Sequence, residues 1–473
     1  MELKRDGLNR YRLPRRGKMR VDAVVYANDH LLPFLRGDKS LEQLANAACL
    51  PGVVEPVIGM PDIHQGFGLP IGGVMAVTED GVISAGAVGM DINCGVRLIR
   101  TDLHSRDFDA PLMRRLITSI EEYVPTGVGK KGKHKTITPK LFEAVAHDGV
   151  KAVIAAGFGV KDHLECIEEA GCLPGADIEA ASKEARSRGA VQLGTLGGGN
   201  HFIEVQEVAE IHDRELAQRF GLFAGQLTIM VHTGSRGFGH QICTDFTRRL
   251  AAAAPKHGIE LPDRGLACAP VDSSDGRNYY KAMACAVNYA FANRQIIMND
   301  IKQAFSHVLG LSADEMGMKL VYDVAHNIAK WEEHHGRRVL VHRKGATRAL
   351  CPGHQDNPPV YKDAGHPALI PGSMGTSSYV LVGTGKASDT FFSVNHGAGR
   401  VLSRTAAGKR ITREEFERVM GKVLYNARNY RELLDEAPPA YKDIEQVVAT
   451  LVDVGITRKV ARMRPLAVVK GKD

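Results

Sequence analysis

The feature that most constrains this chain is a set of polar side chains that lie far apart in the sequence. Asp91 and Cys94 stand between glycines, directly before the apolar run 96–99, which has the pattern of a strand. Three later histidines each occupy a glycine- or asparagine-rich turn at the end of an apolar run; they are His201, His232 and His326. Because the candidate residues extend to position 396, one catalytic body that spans most of the chain is favoured over independent domains.

These five side chains supply one carboxylate, one thiol and three imidazoles, all of which can bind metals. Five donors exceed the four of a closed tetrahedral zinc site, and two ions that share the Cys94 thiolate would use all five. Two ions about 3.5–4 Å apart are a recurring solution for displacement at phosphorus. The donors suit manganese, zinc or cobalt. The alternative for Cys94 is an ordinary buried cysteine without a metal.

His396 lies in a loop of small residues that leaves space for a phosphate beside its ring. Neutral imidazole is a competent nucleophile near pH 7, so a covalent phosphohistidine is one interpretation. A further metal-bound histidine and a core histidine are the alternatives. His64, in the loop 60–66, is interpreted as a structural histidine that makes one hydrogen bond.

The formal charge of +7 is unevenly distributed. Residues 1–20 contain eight Lys and Arg against Glu2 and Asp6, and a second basic cluster comprises Lys130, Lys131, Lys133, Lys135 and Lys140. Clustered cations suit contacts with phosphates, and solvated surface segments are the alternative. The segment 127–132 matches G-x-G-x-x-G, but it follows a helix pattern and a proline instead of a strand, which argues against dinucleotide binding.

Several protein classes are excluded by composition. No apolar run reaches the ~18 residues that cross a bilayer, and the segment 21–26 is too short and polar for a secretory signal. The eight cysteines form no paired framework, so we expect reduced thiols and a cytoplasmic location. We expect a basic N-terminal tail at 1–20 and a catalytic domain at 21–473, with a helical, lysine-rich insertion at about 127–190.

Hydrophobic periodicity predicts a chain that contains both helices and strands. We expect an α+β protein, a single large catalytic body with mixed or antiparallel sheets flanked by helices. The predicted helices are 41–50, 111–123, about 240–254, 279–309 and 441–454. The predicted strands are 72–77 and 82–84, paired as a hairpin, together with 227–231, 319–322 and 465–469. His334 and His335 lie in a polar turn and are expected to be exposed.

Five motifs occur in order along the chain and together resemble one family. They are Met-Asp-Ile-Asn-Cys-Gly-Val at 90–96, Gly-Gly-Gly-Asn-His-Phe-Ile-Glu at 197–204, His-Thr-Gly-Ser-Arg-Gly-Phe-Gly at 232–239, Pro-Gly-Ser-Met-Gly at 371–375 and His-Gly-Ala-Gly-Arg at 396–400. They resemble the RtcB RNA ligases, and the similarity covers nearly the whole chain. Five motifs in register are a highly specific signal.

The resemblance implies an RtcB-type fold and a GTP- and manganese-dependent ligase. Such an enzyme joins RNA 3′-phosphate or 2′,3′-cyclic phosphate ends to 5′-hydroxyl ends, in tRNA splicing or RNA repair. It implies that Asp91, Cys94 and His201 hold one Mn²⁺, and that Cys94, His232 and His326 hold the other. His396 would be the catalytic residue that attacks the α-phosphate of GTP. The GMP would pass to the RNA 3′-phosphate and be displaced by the 5′-hydroxyl.

The resemblance also implies nucleotide contacts. Archease is a candidate activating partner, and we expect a monomer. Glu204 and Lys470 suit the guanine edge or sugar, and glycine-rich loops offer amides to phosphates. The implied GTP contacts are Asn200, His201, Phe202, Ile203, Glu204, His326, Asn327, Pro371, Gly372, Ser373, Met374, Ser378, His396, Gly397, Ala398, Gly399 and Lys470. Arg236, Lys130 and Lys131 suit RNA phosphates. A dinuclear metallophosphoesterase and a non-catalytic RNA-binding protein are the alternatives.

Overall fold

The computed structural model of the protein describes residues 1–426 and 430–471. Its strands are β1 (Lys4–Arg5), β2 (Arg10–Leu13), β3 (Ala23–Tyr26), β4 (Val53–His64), β5 (Ile71–Val77), β6 (Val82–Ser84), β7 (Gly95–His104), β8 (Phe202–Ile211), β9 (Gln226–Thr233), β10 (Cys268–Pro270), β11 (Lys319–Ala325), β12 (Asn327–His334), β13 (Arg337–Lys344), β14 (Ala346–Arg348), β15 (Ala368–Ile370), β16 (Ser378–Gly383), β17 (Ser393–Asn395), β18 (Leu424–Tyr425) and β19 (Thr457–Lys470).

The α-helices of the same residues are α1 (Ser40–Ala47), α2 (Ala85–Val88), α3 (Ala110–Tyr123), α4 (Pro139–Asp148), α5 (Val150–Ala155), α6 (Lys183–Ala190), α7 (Arg214–Phe220), α8 (Arg236–Ala253), α9 (Ser274–Leu309), α10 (Arg404–Arg410), α11 (Arg413–Met420) and α12 (Ile444–Val454). None of them combines the length and apolar composition that crossing a membrane requires.

Two large sheets organise the fold. One has the strand order β1-β2-β3-β4-β5-β13-β12. The other has the order β11-β7-β9-β8-β19-β16-β15, with β18 paired to β19. Neighbouring strands are antiparallel except for the β3–β4 and β18–β19 pairs. The predicted α+β class with mixed sheets and flanking helices is confirmed.

The core is built on α9, a helix of 36 residues that is buried along most of its length. The Ser273 hydroxyl accepts the N–H of Gly276 at its start, and Gly310 follows its last residue with a φ of 71°. A serine N-cap and a left-handed C-terminal glycine are strong boundary signals. The helix packs in the largest apolar cluster, which also takes one face of each large sheet: Ile203 and Val205 from β8, and Met75 and Val77 from β5.

The basic N-terminal segment belongs to the first sheet in the structure. β2 pairs with β3, β1 pairs with β2, and Tyr11 and Leu13 are buried. The segment 127–190 contains α4, α5 and α6. The division into a tail at 1–20 and a domain at 21–473 stays a prediction, and residues 427–429, 472 and 473 of that domain lie outside the described residues.

Three local predictions are wrong. The strands 72–77 and 82–84 do not form a hairpin, because β5 pairs with β4 and β13 while β6 pairs with the distant β10. The helix expected at about 240 begins at Arg236, since its glycines pack closely instead of ending it. His334 is buried, because β12 extends through it and its Nε2 lies 2.8 Å from Glu332 Oε2.

Candidate active site

Two groups of metal-ligand atoms lie side by side among the described residues. We define the first triad as Asp91, Cys94 and His201, and the second triad as Cys94, His232 and His326. Within each triad the ligand atoms lie within 4.8 Å of one another. Cys94 belongs to both, so the structure brings together all five side chains that the sequence singled out.

Strand pairing explains this convergence. Gly95, the first residue of β7, pairs with the residue after His232 on β9 and with the residue before His326 on β11. β8 pairs with β9 so that the residue after His201 lies opposite His232. Antiparallel neighbours lie about 5 Å apart, so side chains at these matched ends reach one another.

The distances at the shared cysteine are short. Cys94 Sγ lies 3.6 Å from His201 Nε2 and 3.3 Å from His232 Nε2. In the first triad His201 Nε2 is 2.7 Å from Asp91 Oδ2, and in the second His232 Nε2 is 3.3 Å from His326 Nε2. His201 Nδ1 donates to the Leu196 carbonyl at 3.0 Å, a bond that turns Nε2 toward the triad.

Burial sets the protonation of these groups. It lowers the pKa values of His232 and His326 well below the usual range, so both imidazoles are neutral at pH 7. Burial and the Asp91 carboxylate raise the pKa of the Cys94 thiol. Burial would also raise the pKa of Asp91, but His201 brings it down to about 2. Neutral imidazole nitrogens that face each other and a thiol fit a divalent cation, which accepts their lone pairs.

His396 follows β17 and is held by a buried carboxylate. Asp62 Oδ2 accepts the ring Nδ1–H at 2.7 Å and the backbone N–H groups of His396 and Gly397 at 3.0 and 3.3 Å. With Nδ1 protonated, Nε2 carries the free lone pair. The His396 ring lies 4.9 Å from the His326 ring, so the potential nucleophile adjoins the second triad.

A cavity of about 220 Å³ opens beside His396. Eleven of the residues expected to contact a nucleotide line it: Asn200, Phe202, Pro371, Gly372, Ser373, Met374, His396, Gly397, Ala398, Gly399 and Lys470. The other six are not among its lining residues. His201 and His326 belong to the triads, and Asn327 donates to the Asp91 carbonyl at 3.0 Å. Ile203 is in the hydrophobic core.

Glu204 and Ser378 form a buried polar cluster with Gln206. The Gln206 amide donates to Glu204 Oε2 at 2.7 Å and to Ser378 Oγ at 3.1 Å, and Ser378 Oγ accepts the Gly372 N–H at 3.0 Å. Glu204 Oε1 has no hydrogen-bond partner among the described residues. Burial raises the pKa of Glu204 to about 8. A buried acceptor without a partner is costly and indicates a site for a ligand donor.

Comparison with known proteins is consistent with this geometry. The sequence profile of the family described as tRNA-splicing ligase RtcB matches residues 43–471. The chain belongs to the RtcB family. The tRNA-splicing ligase RtcB of Thermococcus kodakarensis is 48% identical over 481 residues, which cover 99% of both chains. Those of Archaeoglobus fulgidus and Nanoarchaeum equitans are 47% and 44% identical, covering 98% and 100% of this chain and 97% and 100% of theirs.

Of the residues expected to contact RNA in this RtcB-family chain, Arg236 lies beside the first triad, whereas Lys130 and Lys131 lie on the surface. Arg236 begins α8 with a φ of 55° and lies over Gly197, where a β-carbon would be 2.0 Å from its guanidinium. Its Nε donates to Thr195 Oγ1 at 3.3 Å, beside the first triad. A strained backbone is common at functional sites. Lys130 and Lys131 are exposed and do not line the cavity.

Several residues at the site were missed from sequence. His64 makes the structural hydrogen bond expected of it, with Nδ1 2.9 Å from the Asp62 carbonyl oxygen, but it also lines the cavity, and its burial lowers its pKa to about 4. The other missed residues are Asp62, Ile71, Arg400, Arg404, Glu436 and Tyr441. Arg400 could have been predicted from the sequence, since it is the last residue of the motif 396–400. Asp62, Glu436 and Tyr441 belong to no motif identified in the sequence.

Proposed function

We propose that this RtcB-family chain is an RNA ligase. It joins RNA 3′-phosphate or 2′,3′-cyclic phosphate ends to 5′-hydroxyl ends, with GTP and Mn²⁺ as cofactors. The observation that carries the proposal is the oriented His396, which lines one cavity with His232 of the second triad and lies against the His326 ring. The named activity of the relatives, tRNA splicing, supports RNA as the substrate.

The metal ions would be held by the two triads, with Cys94 as the shared ligand. When bound, two divalent ions supply positive charge that neutralises phosphate oxygens around the reacting phosphorus. Burial keeps the His232 and His326 imidazoles neutral, and the bond from His201 Nδ1 to the Leu196 carbonyl orients the His201 ring. The mixed donors also accept zinc or cobalt, so manganese rests on the family resemblance.

The nucleotide would occupy the cavity beside His396. We assign Glu204 to the guanine edge, because its Oε1 has no partner among the described residues and the N–H groups of that base would favour its ionised, accepting form. Phe202 offers an apolar surface to the base, and the loops 371–374 and 397–399 line the cavity with backbone groups. Lys470, 4% exposed, is assigned with Glu204 to the guanine edge or sugar, and Arg404 adds positive charge for the phosphates.

The chemistry begins with attack of His396 Nε2 on the α-phosphorus of GTP. The P–N bond forms, the bond to the β-phosphate oxygen breaks, and pyrophosphate leaves. Nδ1 keeps its proton, so the ring gains positive charge that the Asp62 carboxylate stabilises. Where the RNA ends in a 2′,3′-cyclic phosphate, water first opens the bond from phosphorus to the 2′-oxygen and leaves a 3′-phosphate. An oxygen of the RNA 3′-phosphate then attacks the α-phosphorus, and the P–N bond breaks. Finally the 5′-hydroxyl oxygen attacks the RNA phosphorus, its proton passes to solvent, and the bond from that phosphorus to GMP breaks.

We assign RNA phosphate contacts to Arg236 and, more remotely, to Lys130 and Lys131. Arg236 is near the first triad, while the exposed lysines are available to a strand that runs outward from the cavity. The basic strands of residues 1–20 are a further candidate surface. Three further points stay predictions: archease as an activating partner, a monomeric state and a cytoplasmic location. The ligase is proposed to act in tRNA splicing or RNA repair.

Intact mass spectrometry after incubation with GTP and Mn²⁺ tests the proposal. We expect the added mass of one GMP, with the modified peptide containing His396, and no adduct on the His396→Ala variant. Ligation of RNA with 3′-phosphate and 5′-hydroxyl ends should then follow adduct formation. A chain that hydrolyses phosphoesters without forming the adduct would instead be the metallophosphoesterase, which does not need an oriented His396.

A further inference from the structure

Two consecutive residues of α9, Asn293 and Arg294, lie directly behind the two triads. Both side chains are completely buried, and each makes four hydrogen bonds to groups outside the helix. Neither residue is a metal ligand, and neither lines the cavity. Most buried polar side chains in proteins have hydrogen-bond partners, and the partners of these two identify the segments that they hold.

Arg294 bonds to the segments that carry the second triad. Its Nη1 donates to the carbonyl of Asn93, next to Cys94, at 2.9 Å and to that of Thr233, next to His232, at 2.8 Å. Its Nη2 donates to Asn93 Oδ1 at 3.0 Å. Its Nε donates to Asp323 Oδ1 at 2.8 Å, three residues before His326. One planar guanidinium therefore joins all three ligand-bearing segments.

Asn293 bonds to the segments around the first triad. Its Oδ1 accepts the N–H groups of Gly194 and Thr195 at 2.7 and 3.2 Å. Its Nδ2 donates to the carbonyls of Thr195 and Gly234 at 3.1 and 3.3 Å.

Both of these segments bear on ligands of the first triad. The carbonyl of Leu196, which adjoins the first segment, orients His201. Gly234 packs against the Asp91 carboxylate, and the next residue, Ser235, donates its N–H to Asp91 Oδ1 at 3.1 Å.

We propose that Asn293 and Arg294 are positioning residues that divide the metal centre between them. Arg294 sets the geometry of the second triad, and Asn293 sets that of the first. The inference rests on the proposed function, because it assumes that the triads bind metal ions. It goes further by assigning the support of each ion to a separate residue of one helix.

The physical reason lies in the shape of the two side chains. The guanidinium has five N–H donors in one plane, so it fixes the Asn93 and Thr233 carbonyls relative to each other. That spacing in turn fixes the 3.3 Å between Cys94 Sγ and His232 Nε2. A lysine keeps the charge but has no planar fork. The asparagine amide pairs an acceptor with two donors, which matches the N–H and C=O groups of Thr195.

Mn²⁺ binding, measured by loss of the electron paramagnetic resonance signal of the free ion, tests the division. His201→Ala leaves only the second triad complete, and His326→Ala leaves only the first. In the His201→Ala background we expect Arg294→Lys to weaken binding by about 10- to 100-fold, as other outer residues of metal sites do. In the His326→Ala background we expect the same loss from Asn293→Ala. Each variant should affect its own triad at least about tenfold more than the other.

Two buried residues provide matched controls. Asn288 lies on the same helix and also makes four hydrogen bonds, to Leu173, Ala146 and His147. Arg343 is a fully buried arginine paired with Glu332. Asn288→Ala and Arg343→Lys should leave Mn²⁺ binding unchanged in both backgrounds, although they perturb comparable networks.

Equal losses at both triads, or no loss at either, would overturn the inference. If Arg294→Lys does not fold, Asn293→Ala is tested alone, because that variant leaves no buried charge unpaired. If Asn293→Ala then weakens Mn²⁺ binding at the second triad as much as at the first, the proposed division is wrong. A native chain that binds no Mn²⁺ would contradict the proposed function as well. Native binding of two ions with an undivided response would contradict the inference only.

Discussion

Replacement of Asp62 by asparagine would test how His396 becomes nucleophilic. In the structure Asp62 Oδ2 accepts the His396 ring N–H at 2.7 Å, and the carboxylate is fully buried. The asparagine side chain would keep the shape and one acceptor oxygen but lose the negative charge. Attack by Nε2 places positive charge on the ring, so the carboxylate stabilises the transition state more than the ground state.

The magnitude follows from this geometry. A unit charge about 4 Å from a carboxylate gains about 4 kcal/mol at an effective dielectric constant of 20. With half to all of the charge developed, Asp62→Asn should raise the barrier by about 2–4 kcal/mol, which slows adduct formation by about 30- to 1,000-fold. Asp62 Oδ1 has no partner among the described residues, so the new amide N–H groups would be buried unpaired. That should cost a further 1–3 kcal/mol, roughly, in stability.

The assay is single-turnover formation of the GMP adduct at saturating GTP and Mn²⁺. Asp300→Asn is a matched control, because Asp300 is fully buried and its Oδ2 lies 2.9 Å from His134 Nε2, away from the cavity. We expect Asp300→Asn to form the adduct at the native rate, and Asp62→Asn to bind Mn²⁺ with the native affinity. A folded Asp62→Asn variant that forms the adduct within about threefold of the native rate would refute the reasoning.

Three further predictions concern stability. Because burial raises the pKa of Glu204 from 4.5 to about 8, the native chain should be most stable below pH 4.5 with respect to this group and lose stability as pH rises to 8. Glu204→Gln should remove this loss, which amounts to about 4–5 kcal/mol in the free energy of unfolding at pH 8, measured by denaturant unfolding. Glu210→Gln, on the exposed part of β8, should not change the pH dependence. Mn²⁺ at about 100 times its Kd should stabilise the chain by about 2.7 kcal/mol per ion, reversed by chelation. Cys94→Ala removes a donor from both triads, so this variant should lose most of the stabilisation by Mn²⁺, measured as the rise in melting temperature. The control Cys243→Ala, at another buried cysteine, should keep it. Gly399→Ala should destabilise by about 2–4 kcal/mol, since φ is 75° and the β-carbon would lie 2.1 Å from the Asp62 carbonyl; Gly408→Ala, with open space around it, should not. A Gly399→Ala chain as stable as the native one would show that Asp62 can shift freely.

Much of the secondary structure was predictable because its signals are local. The helix predicted at 279–309 corresponds to α9, and only its first turn was missed, since Ser274 to Asn278 carry no apolar periodicity. The hairpin error has the opposite cause. β6 pairs with β10, which lies far along the chain, and the sequence of neither strand indicates which strand it will pair with.

The candidate site divides in the same way. The five triad residues could be selected from the sequence because each adjoins a glycine or asparagine turn at an apolar strand end. Asp62 could not, because a single aspartate in a short polar segment has no periodic or motif signal. Asn293 and Arg294 were equally hidden inside a helical pattern that predicts only burial.

The sequence by itself determined the chemical types of the donors, the family and the approximate elements, because residue identity and short-range periodicity are written in order along the chain. The tertiary structure decided which atoms meet: the shared position of Cys94, the free nitrogen of His396 and the two residues of α9 that hold the triads. These depend on strand register and on buried hydrogen bonds between distant segments, and both are established only when the whole chain packs.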